Sequence, residues 1–417
     1  MIKIPRTIIF FPLSSLSVAL KIIFTGRIKK GKSIGEFEEA FRKFIGVNYA
    51  TSVSCGKMGL YLSLKAMGAK EGEEVILPAY TVWDVPAVII ALGLKPVFVD
   101  ISPEDYNMDI NLIKNAISKK TKFILATHLY GYPCDIDPIL QIAEKYNLRI
   151  IEDCAQSLGA RYKGKMVGAF GELAYFSFGL FKNLNTLSGG MVVTDNLLLS
   201  EAVKKEAETF PYPKIASSIK GLFTAVFLAL CTNPPFFSAF VYPLIRYFAR
   251  PINKSASKIL SARPPARIRE EFLKKYKFKF SNLQAAIGLK QLKTLPHFNS
   301  IRAQNVAIIE SMLRQKSGIA FPKTRDYAHP IYLNYVVQVP EYKRDEIIAK
   351  LLKGGVDTSF GFLNNCAGML EFENFKKDSP VSKKIQGTNL YIPIQSPLNQ
   401  KHMEYIADLI KEVLAEG

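Results

Sequence analysis

Apolar positions recur at helical spacing between Ile34 and Ile45, where Phe37, Ala40, Phe41, Phe44 and Ile45 fall on one face and Gly46 supplies a stop. The pattern then switches. A short strand-like segment, Ala50 to Ser54, leads through Cys55-Gly56 into a helix whose Leu60, Leu64 and Met67 face one way. Apolar runs at Val75 to Leu77, Pro96 to Asp100, Lys122 to Thr127 and Arg149 to Glu152 alternate with helical stretches. Such alternation predicts βαβ units around a mainly parallel sheet, and in open sheets of that kind ligands collect beyond the carboxyl ends of the strands. Asp137 followed by Pro138 marks a helix start, with Ile139, Ile142, Ala143 and Tyr146 on one face. The last helix places Met403, Ile406, Ala407, Ile410, Val413 and Leu414 in register.

Two stretches depart from this alternation. The first is an uncharged run from Thr7 to Leu20, bounded by Lys3, Arg6 and Lys21. At about 14 residues it falls short of the roughly 20 that a spanning helix needs. A signal peptide would begin in a similar way, but no small-x-small cleavage site follows, so a membrane-surface helix or an apolar arm packed on a partner fits better. The second stretch lies within residues 205–270, where no charge occurs from Gly221 to Ile245. Asn233-Pro234-Pro235 divides it into arms of about 12 residues, each roughly 18 Å long against an apolar bilayer core about 30 Å thick. Neither arm can cross. Lys214 and Lys220 on one flank, and Arg246, Arg250, Lys254 and Lys258 on the other, predict a re-entrant hairpin whose two ends stay on the cytoplasmic face. The competing reading is a helical pair packed on the enzyme or in a dimer.

Composition narrows the classes. A chain of 417 residues with 48% hydrophobic content can hold two core-forming units. Its net charge of +19 points to an anionic partner: nucleic acid, a membrane surface or a phosphorylated substrate. Five cysteines without a CxxC pair argue against a disulfide framework and fit a reducing cytosol. Four scattered histidines without ligand spacing argue against a metal site.

The densest chemistry lies between Arg149 and Thr194, RIIEDCAQSLGARYKGKMVGAFGELAYFSFGLFKNLNTLSGGMVVT. A strand delivers Asp153 at its carboxyl end, and Lys182 follows ahead of the glycine pair Gly189-Gly190. An acid and a lysine, each at a strand end, is the pair that a pyridoxal phosphate site uses: the lysine binds the cofactor covalently and the carboxylate keeps the ring nitrogen protonated. This segment resembles the DegT/DnrJ/EryC1/StrS family, sugar aminotransferases among the fold type I pyridoxal phosphate enzymes. The likeness extends upstream through GEFEEAFRKFIGVNYATSVSCGKMGLYLSLKAMG and EEVILPAYTVWDVPAVIIALGLKPVFVDI, and downstream through NLQAAIGLKQL and YIPIQSPLNQKHMEYI.

The resemblance implies an α/β fold type I transferase. After an apolar and basic N-terminal segment, 1–30, a three-layer α/β/α large domain would span 31–294 with the apolar helical insertion 205–270. A smaller C-terminal α/β domain would span 295–417. It further implies pyridoxal 5'-phosphate, a homodimer with sites at the subunit interface, and transamination of a nucleotide-linked or lipid-linked keto sugar by an amino-acid donor such as glutamate. Lys182 is the implied catalytic residue. Asp153 would face the ring nitrogen, Gln156 the 3' oxygen, and Ser177 with the Gly56 turn the phosphate.

Several positions depart from the family pattern. Lys57 replaces the usual threonine of Ser-Gly-Thr, where its ammonium can pair with the phosphate as a point charge. Val82 stands where an aromatic usually covers the ring, so Trp83, one residue on, either takes that role or belongs to the core. Lys277 occupies the position from which an asparagine reaches the partner's phosphate, and Lys279 that of an arginine. Leu187-Ser188 replaces the usual Gly-Glu before the glycine pair. Specificity is expected in loops around Tyr80, His329 and Phe360. A sugar dehydratase shares the scaffold but carries histidine in place of the lysine, so Lys182 argues against it. A non-catalytic membrane-bound member is favoured by Lys57, Val82 and Leu187-Ser188. Nucleic-acid binding rests on charge alone, with no recognisable module beside it.

Overall fold

The structure, a computed structural model, describes residues 2–248, 268, 271–314 and 318–415. Seven strands form the central sheet: β1 (Tyr49–Val53), β2 (Glu74–Pro78), β3 (Lys95–Val99), β4 (Thr121–Thr127), β5 (Arg149–Asp153), β6 (Leu173–Ser177) and β7 (Gly190–Thr194). Their order is β1-β7-β6-β5-β4-β2-β3. From β6 to β3 every pairing is parallel, whereas β7 runs antiparallel to both β1 and β6. The parallel strands are nearly continuous Val, Ile, Leu and Phe because helices cover both faces.

Helix α1 (Leu13–Phe24) covers only the second part of the Thr7 to Leu20 run and continues past it, α2 (Ser33–Ile45) and α3 (Gly56–Ala66) fall where the apolar pattern places them, and α4 (Asp84–Ala91) follows Trp83. Gly46 ends α2 at φ 86°, a left-handed conformation that favours glycine. The helix expected to start at Asp137 instead spans Ile136–Tyr146 with Asp135 as its N-cap. Asp137 lies in its first turn, where Lys163 pairs with it at 2.5 Å.

The small unit holds an antiparallel pair, Tyr335–Gln338 with Asn389–Ile392, under helices Glu341–Gly354 and Gln400–Ala415. Met403, Ile406, Ala407, Ile410 and Val413 are buried there as their register predicts. No loop marks the boundary expected at residue 295, because the helix Asn282–Leu313 runs straight through it. Its first half packs Ala285, Leu292 and Leu295 on the large unit, and its second half packs Val306, Ile309 and Leu313 on the small one. The N-terminal segment is not a separate unit either. Ile4 is fully buried in the small unit's core, and its backbone pairs with Gly355 and Asp357.

The insertion forms a bent helical pair, Ile215–Cys231 and Pro234–Tyr247, at 68°, broken where Asn233-Pro234-Pro235 was expected to break it. No single helix among the described residues is long and apolar enough to cross a membrane. One side of the pair is docked on the body: Leu222 and Ala225 are buried, the former with Ala19 of α1 and with Leu283 and Ile287. Polar stitches join it to the N-terminal segment, Ile9 N–H to Thr232 Oγ1 at 3.0 Å and Lys3 N–H to Ser238 Oγ at 2.6 Å. The other side leaves Phe223, Phe227, Phe240 and Leu244 exposed, with Leu13 and Phe24 of α1 exposed as well. Arg250, Lys254 and Lys258 lie outside the described residues.

Candidate active site

Strand ends β5 and β6 and the start of α3 converge on a cavity of about 250 Å³, lined among others by Gly56, Lys57, Asp153, Gln156, Ser177 and Lys182. Of the eight residues given a catalytic or cofactor-binding role from the sequence, these six therefore meet in one place, and Trp83 and Lys277 do not join them. A larger cleft, about 510 Å³, runs along edge strand β1 past Glu38, Lys204 and Lys279 and contains none of the eight.

Gly56 is favoured by proximity. A Cβ there would lie 3.0 Å from the Ser177 Cβ, so only glycine lets the helix start approach the strand end without displacing it. No side chain caps the first turn of α3, whose backbone N–H groups form the positive end of an 11-residue helix.

Alternation along β5 turns Asp153 to the cavity and Glu152 to the opposite face. Glu152 is fully buried and saturated, accepting from Gly168, Phe170 and Gly171 N–H groups at 2.7 to 2.8 Å and from His128 Nε2 at 3.1 Å. Burial opposes its charge, but His128 and the N–H groups outweigh burial and hold its pKa below the usual carboxylate range. His128, Glu152 and Cys154 cluster within 4.8 Å, as metal ligands can. Here the carboxylate's acceptor sites are filled by N–H donors and His128 Nδ1 accepts from Cys134 N–H at 3.1 Å, so the cluster acts as a buried hydrogen-bond hub. It fixes the strand end from behind.

Asp153 is buried, and its Oδ1 accepts from Ala155 N–H at 3.0 Å. Burial raises its pKa, partly offset by Tyr175, Ala155 and Lys182. The Tyr175 hydroxyl lies close enough to influence that carboxylate but completes no well-aligned hydrogen bond, and so remains a buried unpartnered group. Lys182 is mostly removed from solvent. Burial lowers its pKa to about 8, with Asp153 opposing the shift and Lys57 adding to it. Gln156 accepts from Tyr130 N–H through Oε1 at 3.1 Å, which orients the amide so that its NH₂ is left for the cavity it lines.

Lys57 reaches the cavity, paired with Asp84 Oδ2 at 2.6 Å and 4.6 Å from the Tyr276 ring centre. Burial disfavours its charge, but Asp84 more than compensates and its pKa sits above the ordinary lysine value. Trp83 does not line the cavity. It is the N-cap residue of α4 and packs against Phe272 with ring centres 5.7 Å apart, while Val82 faces the cavity. Lys277 is absent from the lining of its own chain's cavity, and its ammonium lies 4.9 Å from the Tyr61 ring centre.

Tyr80, around which a specificity loop was expected, lies in a short strand, Tyr80–Thr81. It is fully buried at the junction with the small unit, where its hydroxyl meets Tyr130 Oη at 3.0 Å and accepts from Asn389 Nδ2 at 2.7 Å. Asp84 and Tyr175 line the cavity without having been singled out, and Ser188, noted only as a departure from the family pattern, lines it too. Tyr175 was within reach, since it shares a strand face with Ser177 two residues on.

The family model for the DegT/DnrJ/EryC1/StrS aminotransferase family matches residues 15–210 and 261–411. GDP-perosamine synthase of Escherichia coli O157:H7 is 45% identical over 170 residues, which cover 41% of this chain and 47% of that enzyme. The spore coat polysaccharide biosynthesis protein SpsC of Bacillus subtilis is 26% identical, covering 94% of this chain and 92% of its own length. Among solved structures, the sugar aminotransferase CalS13 of Micromonospora echinospora superposes with a TM-score of 0.78 at 23% identity, covering 98% of this chain and 99% of that one, a likeness of fold.

Proposed function

Because the chain belongs to the DegT/DnrJ/EryC1/StrS aminotransferase family, and is therefore a pyridoxal 5'-phosphate-dependent sugar aminotransferase, we propose that it aminates a nucleotide-linked or lipid-linked keto sugar at the inner face of the cell membrane, using an amino-acid donor such as glutamate. The observation that carries the reading is Lys182, with its depressed pKa, in one cavity with buried Asp153.

The residues present fit the cofactor. Asp153, with its pKa raised by burial, gains charge beside a cationic ring N–H, because an opposite charge within about 4 to 6 Å favours the ionised form. The approach of Gly56 to Ser177, permitted by the missing Cβ, and the uncapped first turn of α3 make an anion-ready end for a phosphate. Lys57 adds a cation there, and Gln156 offers an oriented amide for a ring oxygen. When bound, pyridoxal 5'-phosphate supplies an electron sink for the charge left on the donor's α-carbon. Lys182 holds the cofactor, and as a free amine its Nζ takes the proton from that α-carbon as general base. A pKa near 8 leaves a useful fraction of Lys182 neutral at physiological pH while retaining its capacity to return the proton.

The sugar-nucleotide part of the reading is supported by the matched half of GDP-perosamine synthase. A homodimer is supported by Lys277, which lies off its own cavity at the position the family uses to reach the partner's. Membrane contact is supported by the exposed aromatic face of the 215–247 pair and α1, near Lys21, Lys214, Lys220 and Arg246. The reaction is tested by adding glutamate to the loaded protein: its visible absorption should fall, and a keto-sugar nucleotide should restore it. Unchanged absorption across a panel of amino donors overturns the proposal.

A further inference from the structure

In the cavity, the cation at the expected phosphate end is already engaged. Lys57, the second residue of α3, donates to Oδ2 of Asp84, the first residue of α4, at 2.6 Å. Both side chains are largely removed from solvent, at 23% and 26% exposure. The other carboxylate oxygen, Asp84 Oδ1, is buried without any hydrogen-bond partner. Asp84 itself lines the cavity. A carboxylate therefore stands in the wall of a site whose remaining features, an uncapped helix start, a glycine-permitted approach and a lysine, favour an anion.

We propose that Asp84 sets the strength of cofactor capture by competing with the cofactor's phosphate for the Lys57 ammonium. The inference rests on the reading that this cavity holds pyridoxal 5'-phosphate with its phosphate at Gly56, Lys57 and Ser177. Two effects act in the same direction. Lys57 must loosen a charge-assisted hydrogen bond to reach the phosphate, and Asp84 is then left as a desolvated anion with both oxygens short of donors. The second anion also repels the first at short range in a medium less polar than water. Both effects depend on the phosphate's charge rather than on the pyridine ring. The enzyme consequently holds its cofactor less tightly than a lysine at this position would allow by itself.

The test titrates the full-length cofactor-free protein with pyridoxal 5'-phosphate, with pyridoxal, and with inorganic phosphate as competitor, following visible absorbance. Asp84→Asn should bind pyridoxal 5'-phosphate about tenfold more tightly, the scale of one charge-assisted hydrogen bond released from competition. Inorganic phosphate should gain similarly, and pyridoxal should not. Because Asp84 also begins α4, Asp84→Ser is titrated in its place if Asp84→Asn does not fold. Equal or weaker binding by the variant, or an equal gain for pyridoxal, overturns the role of Asp84 alone. A wild-type protein that takes up no pyridoxal 5'-phosphate overturns the cofactor reading of the cavity, and this inference with it.

Discussion

Lys182 should become reactive well below the pH at which ordinary lysines do. Its pKa of about 8, against an ordinary lysine value of 10.5, is caused first by burial, with Lys57 assisting and Asp153 opposing. At pH 7 that difference corresponds to about 300-fold more neutral amine than an unperturbed lysine would offer. The sign follows from the base: below its pKa the ammonium has no lone pair, so capture of the cofactor should rise with pH and level off above about 8. The assay is the rate at which the cofactor-free protein develops visible absorbance with pyridoxal 5'-phosphate, measured from pH 6 to 10 at fixed ionic strength. Lys57→Met removes a repelling charge and should move the inflection upward, whereas Asp153→Asn removes an attracting one and should move it downward. An inflection near 10 in the wild type, or shifts of the opposite sign in the two variants, would refute the electrostatic account.

Lys182→Ala should abolish transamination while the protein still binds the cofactor noncovalently; borohydride reduction of the wild type followed by peptide mapping should tag Lys182, and a tag on Lys57 would reassign the site. Asp153→Asn should lower turnover by about 100-fold or more with little change in melting temperature, since it removes a charge near the ring nitrogen and not a packing contact; near-normal turnover would remove the residue from the mechanism. Replacing exposed Phe223, Phe227 and Phe240 with serine should release the protein from sedimented membranes while leaving the docked Leu222 and Ala225 in place. Unchanged sedimentation of that variant would favour protein packing over a lipid contact.

What the sequence made legible was local. Val75 to Leu77 and Lys122 to Thr127 could be read as strands because buried parallel strands are apolar on both faces. Gly56, Asp153 and Ser177 could be placed because each sits at an element's end, and Lys182, in the connection between β6 and β7, because it belongs to a block whose order resembles a known family. The Lys57–Asp84 pair joins two helix starts 27 positions apart, and neither residue's pattern announces the other. Trp83 went to the core because the chain direction at the α4 start, not the residue type, decides which of Val82 and Trp83 faces the cavity. The change of core near residue 295 falls inside one helix for a related reason: periodicity reports that a helix continues, but not that its two halves pack on different units.

The stitching of residues 4–8 into the distant small unit also bears on how the chain is made. Ile4 bonds to Gly355 and Asp357, and Arg6 holds Asp357 through two hydrogen bonds across a separation of 351 positions. At a synthesis rate of about 5 to 20 residues per second, Arg6 leads Asp357 by roughly 20 to 70 s. During that interval Ile4 and Ile8 have no small-unit core to enter. The small unit can therefore complete its packing only late in translation, and until then this apolar stretch is available to a chaperone or to a nearby bilayer.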